Sequence, residues 1–314
     1  MRQVQKIGVT SENICGKSVF TFDSHHEALL PWTQCARDLG FAPRLLTLDY
    51  HSDTRPAFVG HSSVDITVGM DDEGWEERAA AEVAKIDFRV EETVRDAILN
   101  LRFDEHISAA VQSGTIDIAF AIVGGLITNE YQSNEQLAAE SEWRERAHDT
   151  PWVSRPKAPP PYTYSIPADR IVELPRQKVQ SNDQARSKGY ANQALESDFL
   201  RRHLDFIESI TQSSGIPGLF EAPFILDIDL DYFNTRQSIQ PVDHELFHEL
   251  IRRAEIITIA REPKCVTACQ KPGEGLTSEW LETELKRHIG EALSASPNSL
   301  SGEDDTPTTP PPGV

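Results

Sequence analysis

Short apolar bursts alternate along the chain with longer segments whose apolar positions recur every three or four residues. The burst "SVFTFD" (residues 18–23) predicts a strand, "EALLPWTQCARDLG" (27–40) a helix stopped at Gly40, and "RLLTLD" (44–49) a second strand. Strand, helix, strand in that order is the grammar of a βαβ unit. Two or three helical segments follow between Gly74 and Ser113, and "IDIAFAIV" (116–123) predicts a buried strand closed by Gly124 and Gly125.

Between residues 131 and 197 the pattern gives way to polar, proline-rich sequence such as "RPKAPPPYTYSIP", expected as an excursion or lid on the domain. Periodicity returns with an amphipathic segment at 198–210, an apolar strand carrying aspartates within 224–233, a helix at 243–254, the strand "IITIA", and a helix capped by Ser278. The expected architecture is a three-layer α-β-α sandwich with a mainly parallel sheet, one domain over residues 1–293. The remainder, 294–314, has almost nothing to bury and is expected to be disordered.

With 314 residues the chain can bury a substantial core. Aspartate and glutamate number 50 against 30 lysines and arginines, a formal net charge of -20. That field repels nucleic acid and anionic membranes, and it attracts metal ions and cationic peptides. The N-terminus lacks the apolar core of a signal peptide, and the longest apolar run, 116–127, is interrupted by Asp117 and too short to span a bilayer. A cytoplasmic protein is expected. Cys15, Cys35, Cys265 and Cys269 fit neither a zinc ribbon nor a disulfide framework, which suits free thiols in a reducing compartment.

Chemistry concentrates in three places. In "FILDIDLDYF", strand alternation puts Asp227, Asp229 and Asp231 on one face and Leu226, Ile228 and Leu230 on the other. Three carboxylates on a strand call for cations, basic partners or solvent, an edge strand wetted on that face being the plain alternative. A second cluster, "LDYHSD", places Asp49, His51 and Asp53 at the end of a strand, and a third, "FDSHHE", follows another. Imidazole with carboxylates suits Mn2+, Fe2+ or similar ions, and α/β sheets gather functional groups at the carboxyl ends of their strands. The three clusters are therefore expected to converge on a pair of divalent ions that share carboxylates and activate water.

These motifs, "FDSHHEALLPW", "LDYHSD", "DIDLDYF" and "ITIAREP", together resemble the ureohydrolase, or arginase-like, superfamily. More closely they resemble an arginase-related family that includes the peptide arginases of bacterial peptide natural-product pathways. The resemblance runs from Val19 to Pro263 apart from the proline-rich excursion. It implies two Mn2+ ions per chain bridged by Asp49 and Asp227. His51 and Asp229 would complete one shell, and Asp53 with His25 the other, His26 being the competing choice. It also implies Glu262 against the substrate guanidinium, His106 as a proton shuttle, and Asp23 and Asp231 as acids that orient ligands. The chain departs from arginases at Ile225, where a serine is usual, and in "DYF" where Asp-Pro is usual.

The function so implied is hydrolysis of arginine side chains in a ribosomally made precursor peptide, leaving ornithine and releasing urea. A ureohydrolase or amide hydrolase acting on a small guanidino compound competes with it, as does a non-catalytic binding protein stabilised by metal.

Overall fold

The computed structural model describes residues 7–62, 74–125, 165–176 and 184–294. Seven strands form one sheet: β1 Thr10–Ile14, β2 Lys17–Phe22, β3 Arg44–Asp49, β4 Ala119–Val123, β5 Ile171–Pro175, β6 Phe224–Asp229 and β7 Ile256–Ala260. Their order is β1-β2-β7-β6-β3-β4-β5, with only β1 and β2 antiparallel. From β3 the chain builds outward through β4 and β5, then returns to the other side of β3 with β6 and β7. The direction of building thus reverses between β3 and β6, which is where open α/β sheets leave a crevice.

Helices cover both faces. The described helices are α1 Leu29–Leu39, α2 Val59–Ser62, α3 Trp75–Val83, α4 Glu91–Asn100, α5 His106–Gln112, α6 Gln184–Ala191, α7 Ser197–Ser213, α8 Glu245–Arg253, α9 Pro263–Cys269 and α10 Ser278–Ser294. Leu46, Leu48, Leu226, Ile228, Ile257 and Ile259 pack under α7, α8 and α10. The opposite face carries Phe22, Leu45 and Ile225 against Leu29 and Trp32 of α1 and apolar residues of α3, α4 and α5. The predicted α/β sandwich with a mainly parallel sheet is the architecture observed. Among the described residues no helix is long and apolar enough to cross a membrane.

One strand was not foreseen, and two expectations need correction. β1 reads "TSENI", mostly exposed and polar, and had no apolar period to announce it. It forms because Cys15 and Gly16, with φ of 48° and 92°, make a two-residue hairpin turn of the kind that matches strand twist. β5 lies inside the stretch read as an excursion, yet it pairs with β4 along its whole length and closes the sheet edge. Residues 131–164 and 177–183 of that stretch, and the tail 295–314, lie outside the described residues. Finally, Ser278 is the first residue of α10, bonded to the Arg261 carbonyl at 2.8 Å; the cap is Thr277, whose hydroxyl accepts the Trp280 N–H at 3.3 Å.

Candidate metal centre

Strand register builds the site in two layers on the α1 and α5 face. β3 and β6 align Thr47 with Asp227, and β7 aligns Thr258 with it, so the deeper layer reads Thr47, Asp227, Thr258. One pleat further toward the carboxyl ends come Asp49, Asp229 and Ala260. In the deeper layer both oxygens of Asp227 are engaged: Thr47 donates to Oδ2 at 2.7 Å, Thr258 to Oδ1 at 2.5 Å, and Nε2 of His25 lies 2.8 Å from Oδ2. Trp32 of α1 donates its indole N–H to Thr258 at 3.2 Å, tying the helix to this layer.

His25 sits in the tight turn of residues 25–28 that follows β2, fully buried. Its other nitrogen, Nδ1, faces Oδ2 of Asp53 at 3.1 Å and Oδ2 of Asp49 and of Asp229 at 3.3 Å each. All three carboxylates are buried, and Oδ2 of Asp49 has no hydrogen-bond partner. Asp53 reaches inward from a left-handed backbone at φ 49°, a conformation aspartate tolerates better than most residues.

Asp231 is brought in by a turn. β6 ends at Asp229, and Leu230–Tyr232 form a short 3-10 turn capped by Asp229, whose Oδ1 accepts the Asp231 N–H at 3.0 Å. The turn carries Asp231 to the chain after β3, where it accepts from the Tyr50 N–H at 3.2 Å and meets Nδ1 of His51 at 2.9 Å. Gly124 and Gly125 hold that chain in place, donating to the carbonyls of Asp49 and Tyr50 at 2.7 Å each. A Cβ on Gly125 would lie 2.6 Å from the Tyr50 carbonyl oxygen, so glycine is required for this approach. The buried Arg176 guanidinium bonds the carbonyl of Tyr232 at 2.7 Å and the side chain of Asn234, bracing the far side of the turn.

Electrostatics follow from burial. Desolvation, then neighbouring carboxylates, raises the pKa of Asp49 and Asp229 well above the usual carboxylate range, and burial raises Asp53 as well. Burial alone would lower the pKa of His25, but Asp227 and the other acids outweigh it and raise it well above the ordinary 6.5. Asp231 holds His51 protonated up to about 12. Five buried carboxylates therefore face two imidazoles, an excess of negative charge that only protons or cations can relieve. The unpartnered oxygen of Asp49, set among three further donors, fits a divalent ion bound by oxygen and imidazole.

The remaining candidates divide. Glu262, half-exposed, accepts the His25 backbone N–H at 3.1 Å from a strained left-handed position at φ 31°. His26 is buried with Nδ1 unpartnered, and burial lowers its pKa to about 4. His106 is fully buried against His25, with tilted rings 4.4 Å apart between centroids, and donates to the Phe103 carbonyl at 3.2 Å; its Nδ1 lies 3.9 Å from Oδ2 of Asp53, so it borders the His25 and Asp53 side of the cluster. Asp23 is exposed and pairs with Arg261 at 3.5 Å, away from the cluster. Four contributors were missed. Thr47 and Thr258 were visible as lone hydroxyls in apolar strands, but Cys265 and Cys269, one turn apart on α9 and set against Glu262, Asp231 and His51, had no local pattern. An open cleft of about 510 Å³ reaches the site past His51 and Asp53, with Tyr50, Phe103, Asp104 and Gly125 among its walls.

No protein-family model matches this chain, and no curated protein matches it.

Proposed function

We propose that the chain is a metal-dependent hydrolase of the arginase kind, converting arginine side chains of a peptide to ornithine with release of urea. The observation that carries this reading is the meeting of three acidic segments, distant in sequence, around Nδ1 of His25. One Mn2+ ion would be held by His25, Asp49, Asp53 and Asp229, and a second by His51 and Asp231 with Asp49 and Asp229 shared. The shared carboxylate on β6 is thus Asp229, one pleat beyond Asp227, whose oxygens are already engaged by two threonines and His25. Such a pair of ions supplies Lewis acidity and lowers the pKa of water at the site.

The chain's own groups do the rest. The carboxylate of Glu262, held beside His25, takes the planar guanidinium through paired N–H bonds. Water adds to the guanidinium carbon, the bond from that carbon to the side-chain nitrogen breaks, and the nitrogen leaves as the ornithine amine with a proton. The oxygen-rich donor set favours Mn2+ over softer ions. The open cleft and the net charge of -20 suit an extended cationic peptide better than an enclosed amino acid.

Urea release after Mn2+ loading is the test, run with arginine-containing peptides beside free arginine and agmatine. Urea from the peptides alone supports the proposal. Urea from the small compounds alone moves the substrate to a free guanidine, and no urea from any of them, with metal bound, leaves a metal-stabilised binding protein.

A further inference from the structure

A second constellation lies on the opposite face of the sheet, where α8 packs on α10. His244 and His248 stand one helical turn apart at the start of α8, and His288 and Glu291 stand three residues apart on α10. His248 and His288 are 5 % and 1 % exposed, and Nε2 of the first lies 3.1 Å from Nδ1 of the second. Ligand atoms of His248, His288 and Glu291 all fall within 4.8 Å of one another. The His244 ring stacks on His248 with centroids 4.3 Å apart and stands 5.6 Å from His288.

The tautomer of His288 is already set for a ligand. Nε2 of His288 donates to the Ile239 carbonyl at 2.8 Å, so Nδ1 keeps its lone pair and points at His248. A backbone carbonyl holding the far nitrogen in this way is how proteins orient metal-binding histidines. In a tetrahedral shell with bonds of about 2.0–2.1 Å, neighbouring ligand atoms stand roughly 3.3 Å apart, close to the spacing of these two nitrogens. Moving the proton of His248 from Nε2 to Nδ1 would turn both lone pairs on one point. Glu291 is exposed and bonded to Arg287 at 2.7 Å, and Arg287 has Glu284 at 3.2 Å as a second partner, so the carboxylate can be released.

We propose that His244, His248, His288 and Glu291 form a structural site for a divalent cation of the zinc class, clamping α8 to α10. Its imidazole-rich donors distinguish it from the carboxylate-rich centre across the sheet, and imidazole suits zinc, copper and nickel where carboxylates suit manganese. The site stands independently of the proposed hydrolase activity.

The test is Zn2+ titration of the full chain by calorimetry in an Asp49→Asn, Asp229→Asn background, so that uptake at the carboxylate centre does not intervene. The expected result is about one Zn2+ per chain, a rise in melting temperature on binding, and affinity weakened tenfold or more by Glu291→Gln, an exposed change that leaves the core intact. Co2+ in place of Zn2+ should give the visible absorption of a four-coordinate, nitrogen-rich ion, lost in His288→Gln. Absence of saturable Zn2+ uptake in that background, or uptake with unchanged affinity in Glu291→Gln, would overturn the proposal.

Discussion

Asp227 grips Nε2 of His25 at 2.8 Å and thereby turns Nδ1 of the same ring toward Asp49, Asp53 and Asp229. The deeper aspartate fixes the direction of the imidazole, and the outer ones form the place it points to.

That division separates the three aspartates by experiment. Asp49→Asn and Asp229→Asn should each abolish bound metal, measured by elemental mass spectrometry after Mn2+ loading and gel filtration. Asp227→Asn should keep the ions but weaken them about 10- to 100-fold, the usual effect of losing a group that orients a ligand. Equal loss in all three variants would return Asp227 to the ligand shell.

Thr258 links three elements, donating to Asp227 and accepting from Trp32 of α1. Thr258→Val keeps the shape and leaves a buried indole N–H and a carboxylate oxygen without their partner. Chemical denaturation should register a loss of about 1–3 kcal/mol, and more if the carboxylate stays ionised.

Gly125→Ala tests the backbone contact that seats His51. The added methyl carbon would overlap the Tyr50 carbonyl oxygen at 2.6 Å, and backbone cannot move aside as a side chain can. Overpacking of this kind costs about 1–3 kcal/mol. Because the displaced residues carry His51, urea release should fall at least tenfold in protein that is still folded by circular dichroism.

Acid should loosen the face carrying α8. Burial, with His244 and His288 adding to it, lowers the pKa of His248 from its ordinary 6.5 to about 4, while Glu245 and Glu291 pull weakly the other way. The folded chain then binds fewer protons than the unfolded one between those values, so this contribution is complete above pH 6.5 and is lost as pH falls toward 4. In metal-free protein the melting temperature of His248→Gln should decline less steeply than that of wild type over that window. Parallel declines would assign the sensitivity to the other buried histidines whose pKa burial lowers, His26 and His106 foremost.

Much of the sheet was legible because its strands are apolar and bounded by turn residues. β2, β3, β4, β6 and β7 all follow that rule, whereas β1 is a polar edge and β5 is five residues beside prolines and charges. Alternation correctly put Asp227 and Asp229 on one face. It failed at Asp231, where the chain leaves the strand for a turn and reaches His51 by a different route. Which aspartate is engaged on both oxygens depended on two threonines from other strands, a relation no local period contains. The histidines of α8 and α10 escaped notice for the same reason, since 40 residues separate His248 from His288.

The layer that joins Thr47 to Asp227 spans 180 residues of chain. Closing so long a loop into parallel register is entropically slow, and until β3 meets β6 none of the outer carboxylates has its neighbours. An ion therefore has nothing resembling its final cage to bind during the early search, and its free energy enters only after the rate-limiting pairing. Loading with metal should leave the refolding rate nearly unchanged and slow unfolding, so the centre would act on the lifetime of the native state rather than on the speed of reaching it.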